Sequence, residues 1–129
     1  MSVCKARYQE IIDFEKMLAA NNIILLKFYL HISKEEQAER FRERLEMPHK
    51  KWKFSQSDLD TRKKWSEYMR AYEDMLNATS HEAAPWHIIP ADRNWVRNQL
   101  IARHVVQALE SLKLKWPKPK EDLSKIKID

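Results

Sequence analysis

The chain contains no glycine among its 129 residues. Loops that cradle phosphate groups in dinucleotide-binding and P-loop folds need glycines, because the backbone must approach the phosphates closely. The sharp nucleophile elbow of α/β-hydrolases needs glycines as well. The sequence therefore contains neither kind of loop, and a hydrolase is disfavoured.

The charge balance of the chain is basic. Lys and Arg number 24 against 19 Asp and Glu, which gives a net charge of +5 at pH 7. Such a balance favours association with polyanions, although charge alone leaves the class of polyanion open. The length fits a single domain with one core.

The single cysteine and the N-terminal segment indicate a compartment. Cys4 has no second cysteine to pair with, which is usual in a reducing compartment. The first residues carry acids and lack the apolar centre of a signal peptide, and no run approaches the roughly 20 apolar residues of a membrane span. The sequence predicts a soluble, cytoplasmic protein.

Two short apolar stretches predict strands. NNIILLKFYLHIS, residues 21–33, holds a near-continuous apolar run, which is typical of a strand buried on both faces of a parallel sheet. WHIIPA, residues 86–91, predicts a second buried strand that ends at Pro90. Asn22, just before the first strand, tolerates left-handed backbone dihedrals.

Helical patterns flank both strands. An amphipathic helix is predicted over residues 5–20, and a capping box of Ser33 and Glu36 opens a second helix. The segment MPHKKWKFSQ reads as a loop. Ser57 is predicted to cap a long third helix, and Asp92 a last one. The apolar row of the third helix comprises Trp65, Tyr68, Met69, Tyr72, Met75 and Leu76.

The predicted order is helix, strand, helix, helix, strand, helix. Two parallel strands joined by helices form a βαβ unit, but two strands alone make a poor sheet with two unpaired edges. We expect the chain either to contribute half of a larger α/β domain or to pair with a partner. Residues 113–129, charged and proline-containing, are predicted to form a flexible tail.

Cations concentrate between the second and third predicted helices. Arg40 and Arg44 lie one turn apart, the lysines at positions 50, 51 and 53 fill the loop, and three cations follow at 62–64. If the helices pack as a hairpin, these cations converge near its tip; the alternative is a solvated, mobile basic loop. Cations in the first turns of a helix oppose the macrodipole, which hints at an anionic ligand.

Other site chemistry has weaker support. His81 and Glu82 begin a zinc-helix pattern, but Pro85 stands where the second histidine belongs, so no metal site is expected. Trp52 and Phe54, interleaved with lysines, are free for base stacking, whereas a core position is expected for Trp65.

Three stretches together resemble the C-terminal half of the polyphosphate kinase 2 family. They are LKFYLHISKEEQAERFRERL, KKWKFSQSDLDTRKKWSEYMRAYEDMLNATS and APWHIIPADRNWVR, in this order and spacing, within about residues 7–110. The resemblance implies a partial P-loop kinase-like α/β fold: residues 1–112 form two parallel strands, packing helices and a helical lid hairpin at about 40–78.

The resemblance also implies function and site residues. Family members transfer phosphoryl groups between inorganic polyphosphate and nucleoside mono- or diphosphates of the ADP/ATP or GDP/GTP type, with magnesium. Arg44, Arg62 and Lys53 match lid positions and are the expected phosphate contacts, because cations neutralise phosphate charge. Secondary candidates are Arg40, Lys50 and Lys51.

The sequence departs from the family pattern in its missing N-terminal half. The Walker A loop and the magnesium-binding aspartates have no counterpart here, so no catalytic residue and no metal ligand is assigned. A truncated or split chain is expected, inactive alone, that associates with the missing half or with copies of itself. A stand-alone polyanion-binding or interaction module without catalysis is the alternative; nucleic acid and membrane are not the expected partners.

Overall fold

The computed structural model describes the backbone of residues 3–120 and the side chains from Ala6 to Lys120. This part of the chain is an α/β fold in which helices predominate. Its elements are α1 (Val3–Ala20), β1 (Lys27–His31), α2 (Lys34–Glu46), a 3₁₀ helix (Pro48–Lys53), α3 (Gln56–Lys63), α4 (Trp65–Thr79), β2 (Trp86–Pro90) and α5 (Asn94–Ser111).

The two strands pair in parallel, as predicted. Their register runs from Lys27 opposite Trp86 to His31 opposite Pro90. Each strand has five residues, so β1 is shorter than the apolar run that predicted it. Full burial was the wrong expectation, because Leu30 is 44% exposed and Ile88 is 61% exposed. Within residues 3–120 the sheet has only these strands, and each keeps an unpaired outer edge.

The turn before β1 supports the prediction for Asn22. Its φ angle is 59°, in the left-handed region that residues with a Cβ rarely occupy. Asn tolerates this region better than most residues, and here the backbone N–H of Asn22 donates to the Ala19 carbonyl. The left-handed residue therefore ends α1 and leads the chain toward the sheet without a glycine.

Ser33 caps α2, as predicted. Its Oγ accepts the backbone N–H of Glu36 at 3.1 Å. The Glu36 carboxylate accepts instead from Arg40 Nε at 2.9 Å, one turn further along the helix. Acids in the first turn and Arg44 in the last turn both suit the helix macrodipole.

The predicted third helix is two helices, a correction to the sequence analysis. α3 ends at Lys63, and α4 begins at Trp65 after a kink at Lys64. Neither glycine nor proline marks the break. The two helices have different neighbours, because Arg62 of α3 donates to the Lys34 carbonyl on α2, whereas α4 packs beside α1.

This break also removes one hint of an anionic ligand. Arg62 and Lys63 stand in the last turn of α3, where cations stabilise the helix, and not in the first turns as the sequence suggested. Ser57 is likewise not the cap. Ser55 occupies the N-cap position, and its hydroxyl lies 2.7 Å from Ser57 Oγ.

Asp92 does not cap α5, although the sequence predicted this role. α5 begins at Asn94, and Arg93 occupies its N-cap position without a capping side-chain bond. Asp92 Oδ1 instead accepts the backbone N–H of Ser33 at 2.8 Å, which links the loops that follow the two strands. This hydrogen bond is the main cause that lowers the pKa of the Asp92 carboxyl.

A buried ionic cluster joins α1, β1 and the end of α4. Lys27 Nζ donates to Glu15 Oε2 and to the Thr79 carbonyl, both at 2.7 Å. His81 Nε2 lies 2.7 Å from the same Glu15 oxygen. The side chains of Glu15 and Lys27 are each only 7% exposed. Trp86 completes the cluster, since Lys27 Nζ lies 5.0 Å from its ring.

The apolar core of the described part is small. Among the side chains from Ala6 to Lys120, the buried apolar residues are Ala84, Ile89 and Ala91. The predicted row of α4 packs only in part: Tyr72 contacts Tyr29 at 5.2 Å between ring centroids, yet remains partly exposed, as does Tyr68. Of the predicted flexible tail, residues 113–120 are exposed and form neither helix nor strand, and 121–129 lie outside the described residues.

Candidate functional site

The six predicted phosphate-contacting cations lie on three consecutive elements. Together they form what we call the cationic surface. α2 carries two of them, the 3₁₀ helix three and α3 one. In chain order they are Arg40, Arg44, Lys50, Lys51, Lys53 and Arg62.

Arg44 projects from the last turn of α2 and is weakly engaged. Its guanidinium carbon lies 5.5 Å from the centroid of the Phe41 ring, and its Nη1 lies 3.9 Å from Asp58 Oδ2. The side chain is 34% exposed. An ion pair at this distance and exposure contributes little, so Arg44 can turn to an external anion at low cost. In the absence of such an anion, the ring of Phe41 orients the guanidinium.

Arg40 is more firmly held. Its Nη2 donates to the carbonyl of Ala91 at 2.7 Å, and the carbonyl of Asp92 lies 3.3 Å away. Its Nε donates to Glu36 on the same helix. These bonds fasten α2 to the loop that follows β2, so we interpret Arg40 chiefly as a structural residue.

Arg62 also binds protein atoms. Its Nη1 donates to the Lys34 carbonyl at 2.6 Å and to Gln37 Oε1 at 3.0 Å. Both acceptors belong to the first turns of α2, so Arg62 fixes α3 against that end of α2. The remaining guanidinium nitrogens keep free donor capacity for a phosphate oxygen.

The 3₁₀ helix presents its lysines unequally. Lys50 forms an ion pair with Glu43, which lowers the pKa of that carboxyl through the hydrogen bond first and the charge second. Lys51 is exposed. Lys53 Nζ lies 5.1 Å from the ring of Trp52, and that tryptophan is 78% exposed.

Phe54 is not free for stacking on a ligand, contrary to the sequence analysis. It packs edge-on against Phe41 with ring centroids 6.3 Å apart, and this contact fixes the 3₁₀ helix to α2. Trp52 therefore remains the exposed aromatic residue among the cations of this segment.

The predicted convergence of the cations is realised only in part. Arg40 and Arg44 line a cleft of about 310 Å³ between α2 and α3, together with Phe41, Asp58 and Thr61. Arg62 lines a second cleft with several acidic residues of α2. The structure therefore brings the two arginines of α2 together, whereas Arg62 faces the opposite end of that helix.

A further cleft lies at the carboxyl ends of the strands, and the sequence analysis did not single it out. His31, Ser33, Asp92 and Arg93 line it with apolar neighbours. The positions of these residues in the sequence could have predicted the cleft, because polar residues that directly follow parallel strands meet at one edge of the sheet.

Metal-binding and membrane-spanning features are absent from the described residues. Among the described side chains, from Ala6 to Lys120, His, Cys, Asp and Glu do not gather in threes or more in a way that could hold a metal ion. No helix in the same part of the chain combines the length and apolarity needed to cross a bilayer.

Comparison with known proteins identifies the family. The chain matches polyphosphate kinase 2 (PPK2) over residues 2–117. The crystal structure of polyphosphate kinase 2 from Arthrobacter aurescens TC1 is similar, with a TM-score of 0.89 and 40% sequence identity over 92% of this chain. The chain therefore belongs to the polyphosphate kinase 2 family, as the sequence motifs suggested.

The relatives differ in how much of their length the chain covers. It is 46% identical to an AMP/ADP-polyphosphate phosphotransferase of Meiothermus ruber over 98% of this chain, but spans 48% of that protein. It spans 43% of the Arthrobacter chain. An uncharacterized protein in the chlN 3′ region of Leptolyngbya boryana, also 46% identical, is covered over 82% of its length, with 86% of this chain aligned.

Proposed function

We propose that this chain is the phosphate-contacting, lid-bearing part of a phosphotransferase that moves phosphoryl groups between inorganic polyphosphate and nucleoside mono- or diphosphates. The chain belongs to the polyphosphate kinase 2 family, and its relative from Meiothermus ruber is named an AMP/ADP-polyphosphate phosphotransferase. In such a reaction the protein chiefly positions the phosphates and neutralises their charge.

The state of Arg44 is the observation that carries this proposal. The side chain is ordered by Phe41, is partly exposed and has only a distant carboxylate partner. A guanidinium can grip two phosphate oxygens at once, which favours it for this role over a lysine. Lys51 and Lys53 lie exposed on the following element and extend the positive charge along a chain-like ligand.

The unpaired sheet edges support a role as one part of a larger α/β domain. Each strand keeps an unpaired edge, and Leu30 on β1 and Ile88 on β2 are exposed. Further strands and helices of a larger domain would cover both the edges and these side chains. The P-loop kinase-like character of the whole domain remains part of the proposal. So does association with copies of itself or with a segment that supplies the rest of the family domain.

Magnesium, which the resemblance implies for the complete enzyme, does not fit the residues described here. Mg²⁺ takes oxygen ligands in octahedral geometry and usually one or two carboxylates. The carboxylates next to the cationic surface, Glu43 and Asp58, instead pair with its cations Lys50 and Arg44. We therefore place any magnesium site in the complementary part of the family domain.

Reconstitution tests the proposal. The chain is assayed for ATP formation from long polyphosphate and ADP, alone and after mixing with the segment of the Meiothermus ruber enzyme that it does not match. We expect no turnover alone and measurable turnover in the mixture, which the Arg44→Ala variant lowers. Robust turnover by the chain alone would overturn the proposal. So would an inactive mixture in which the chain binds neither polyphosphate nor the partner segment.

The stand-alone alternative predicts a different pattern. A polyanion-binding module driven by the net charge of +5 would bind polyphosphate and single-stranded DNA of equal charge with similar affinity and similar salt dependence. Equal binding of both ligands, together with an inactive mixture, favours that alternative.

A further inference from the structure

The outer side of α5 exposes a row of apolar residues, which we call the α5 stripe. Trp95 is 65% exposed and Leu109 is 53% exposed, and Ala102 and Val106 between them are exposed as well. The four residues follow one another at steps of seven, four and three positions. They therefore share one side of the helix over about 21 Å. Monomeric proteins seldom expose a contiguous apolar surface without a use for it.

The opposite side of α5 packs on the sheet. The ring centroid of His104 lies 4.3 Å from that of His87 on β2 and 5.8 Å from that of Phe28 on β1. Leu100 and Ala108, one turn to either side of His104, are half-buried. The helix thus already uses one side for its own fold, and the α5 stripe lies on the other side.

Completion of a larger α/β domain would leave the α5 stripe uncovered. In such domains the helices lie on the two faces of the sheet and form its outer layers. Further strands would extend the sheet beside β1 and β2, and further helices would lie next to α5 and not over it. The apolar residues of the stripe therefore call for a partner outside the domain. This step rests on the proposed function, which makes the chain part of such a domain.

The order of residues along the α5 stripe fits a second copy of the chain. Trp95 and Leu109 each stand seven positions from Ala102. If two copies of α5 pair antiparallel about a two-fold axis at Ala102, Trp95 of each copy meets Leu109 of the other. The small side chain of Ala102 lets the two helices approach closely at the axis, and antiparallel helix dipoles attract each other.

We propose that this chain forms a two-fold dimer through the α5 stripe. A two-fold contact needs one surface that complements itself, and the stripe has large residues at both ends and a small one at its centre. Contact along one helix pair is smaller than the roughly 1,600 Å² of a standard interface. The dimer is therefore reversible, with a dissociation constant of about 10–100 µM.

Sedimentation velocity of the full chain, from about 1 to 500 µM, tests the proposal. We expect the wild type to change reversibly from one chain to two as its concentration rises. Ala102→Glu places two carboxylates against each other at the axis, so the dissociation constant should rise at least about tenfold. Both the fold and the helix should persist, because Glu is nearly as good a helix former as Ala.

Ala71→Glu is the matched control for this experiment. It makes the same change at an exposed position of α4, so it should dimerise like the wild type. A wild type that stays monomeric throughout the concentration range overturns the proposal. Association that Ala102→Glu leaves unchanged, or that both variants weaken equally, overturns it as well, because the contact then lies on another surface.

A disulfide probe tests how the two helices are aligned. In a Cys4→Ser background, Ala102→Cys places two thiols at the axis, within reach of an intermolecular disulfide. The two thiols of Leu109→Cys would instead lie about 21 Å apart along the helices. We expect the first variant to form a covalent dimer under mild oxidation and the second to form little. Equal yields contradict the two-fold arrangement.

The dimer and the proposed function fail in distinguishable ways. If the wild type stays monomeric but Arg44→Ala still weakens polyphosphate binding, the dimer is wrong and the phosphate-contacting role stands. If Ala102→Glu abolishes the dimer while Arg44→Ala leaves polyphosphate affinity unchanged, the dimer stands and the proposed function is wrong.

Discussion

The buried ionic cluster and the cationic surface use the same residue types in opposite ways. In the cluster, Lys27 makes two 2.7 Å bonds within the protein and is almost fully removed from water. On the cationic surface, Arg44 stands 3.9 Å from its nearest carboxylate oxygen and is about one third exposed. The first arrangement fixes three segments of the fold, and the second leaves a charge available.

The difference shows how a small core can coexist with a basic surface. A buried pair is strongly destabilising to break, because removal of one partner leaves the other charge buried and uncompensated. A partly exposed pair contributes little to stability, so its cation can exchange a carboxylate for a phosphate. Stability and ligand binding should therefore depend on different cations in this chain.

The largest expected effect is on stability, from Lys27→Met. The substitution leaves Glu15 buried with His81 as its remaining partner, and we expect the free energy of unfolding to fall by about 3–5 kcal/mol. Urea unfolding followed by circular dichroism measures the loss. The double variant Glu15→Gln with Lys27→Met should recover part of it, because no charge of the pair is then left buried. A loss below about 1 kcal/mol for Lys27→Met would contradict the role of the cluster.

Next in size is the effect of Arg44→Ala on polyphosphate binding. We expect the dissociation constant to rise about tenfold, or about 1.4 kcal/mol, because a bidentate contact is lost, while the urea midpoint hardly changes. Arg42→Ala is the control, since Arg42 lies on the same helix in an exposed pair with Glu39. Calorimetric titration measures both affinities. Equal affinities of the two variants for polyphosphate would show that Arg44 does not contact the phosphates.

Lys53→Ala should act in the same direction but more weakly. A lysine contacts phosphate as a point charge and is strongly hydrated, so we expect a rise in the dissociation constant of about threefold at about 0.15 M salt. Lys63→Ala removes another exposed cation, which pairs with Asp60 on α3, and should have no such effect. A larger effect from Lys63 than from Lys53 would place the ligand elsewhere.

The smallest effect concerns pH and the contact of His87 with His104, whose rings lie 4.3 Å apart. Burial first, and the charge of His104 second, lower the pKa of His87. The unfolded chain therefore binds more protons than the folded one below about pH 6.5, and stability should fall as the pH drops through this range.

His87→Phe should flatten this dependence of stability on pH. The exposed residue His49 offers the control, His49→Gln, which should retain the slope of the wild type. Thermal unfolding between pH 5 and 8 compares the three proteins. If stability depends on pH with the same slope in all three proteins, the contact of His87 with His104 does not contribute to that dependence.

Local signals in the sequence predicted the local structure. The Ser33 cap, the left-handed Asn22 and the strand end at Pro90 all depend on residues within a few positions of one another. Parallel pairing followed from the apolar runs and the helices between them. The motifs also identified the family.

Long-range contacts left no such signal. Glu15 and His81, 66 positions apart, share one hydrogen bond, and Asp92 binds Ser33 across 59 positions. The hydrogen bonds of Arg62, just before the break at Lys64, are long-range as well, since its acceptors on α2 lie 25 and 28 positions away. Which cations are free to bind a phosphate depends on these partners, so the sequence could name the candidates but not rank their availability.

One comparison of double variants tests the central claim most directly. Arg44→Ala with Lys53→Ala and Arg42→Ala with Lys63→Ala each remove two cations, so both proteins have the same net charge. Affinity for long polyphosphate is measured for both, and for wild type, at the same salt concentration. The account predicts that the first pair loses affinity by about tenfold or more and that the second stays near wild type. Equal losses in both would show that net charge alone attracts the ligand, and would contradict a specific phosphate-binding surface.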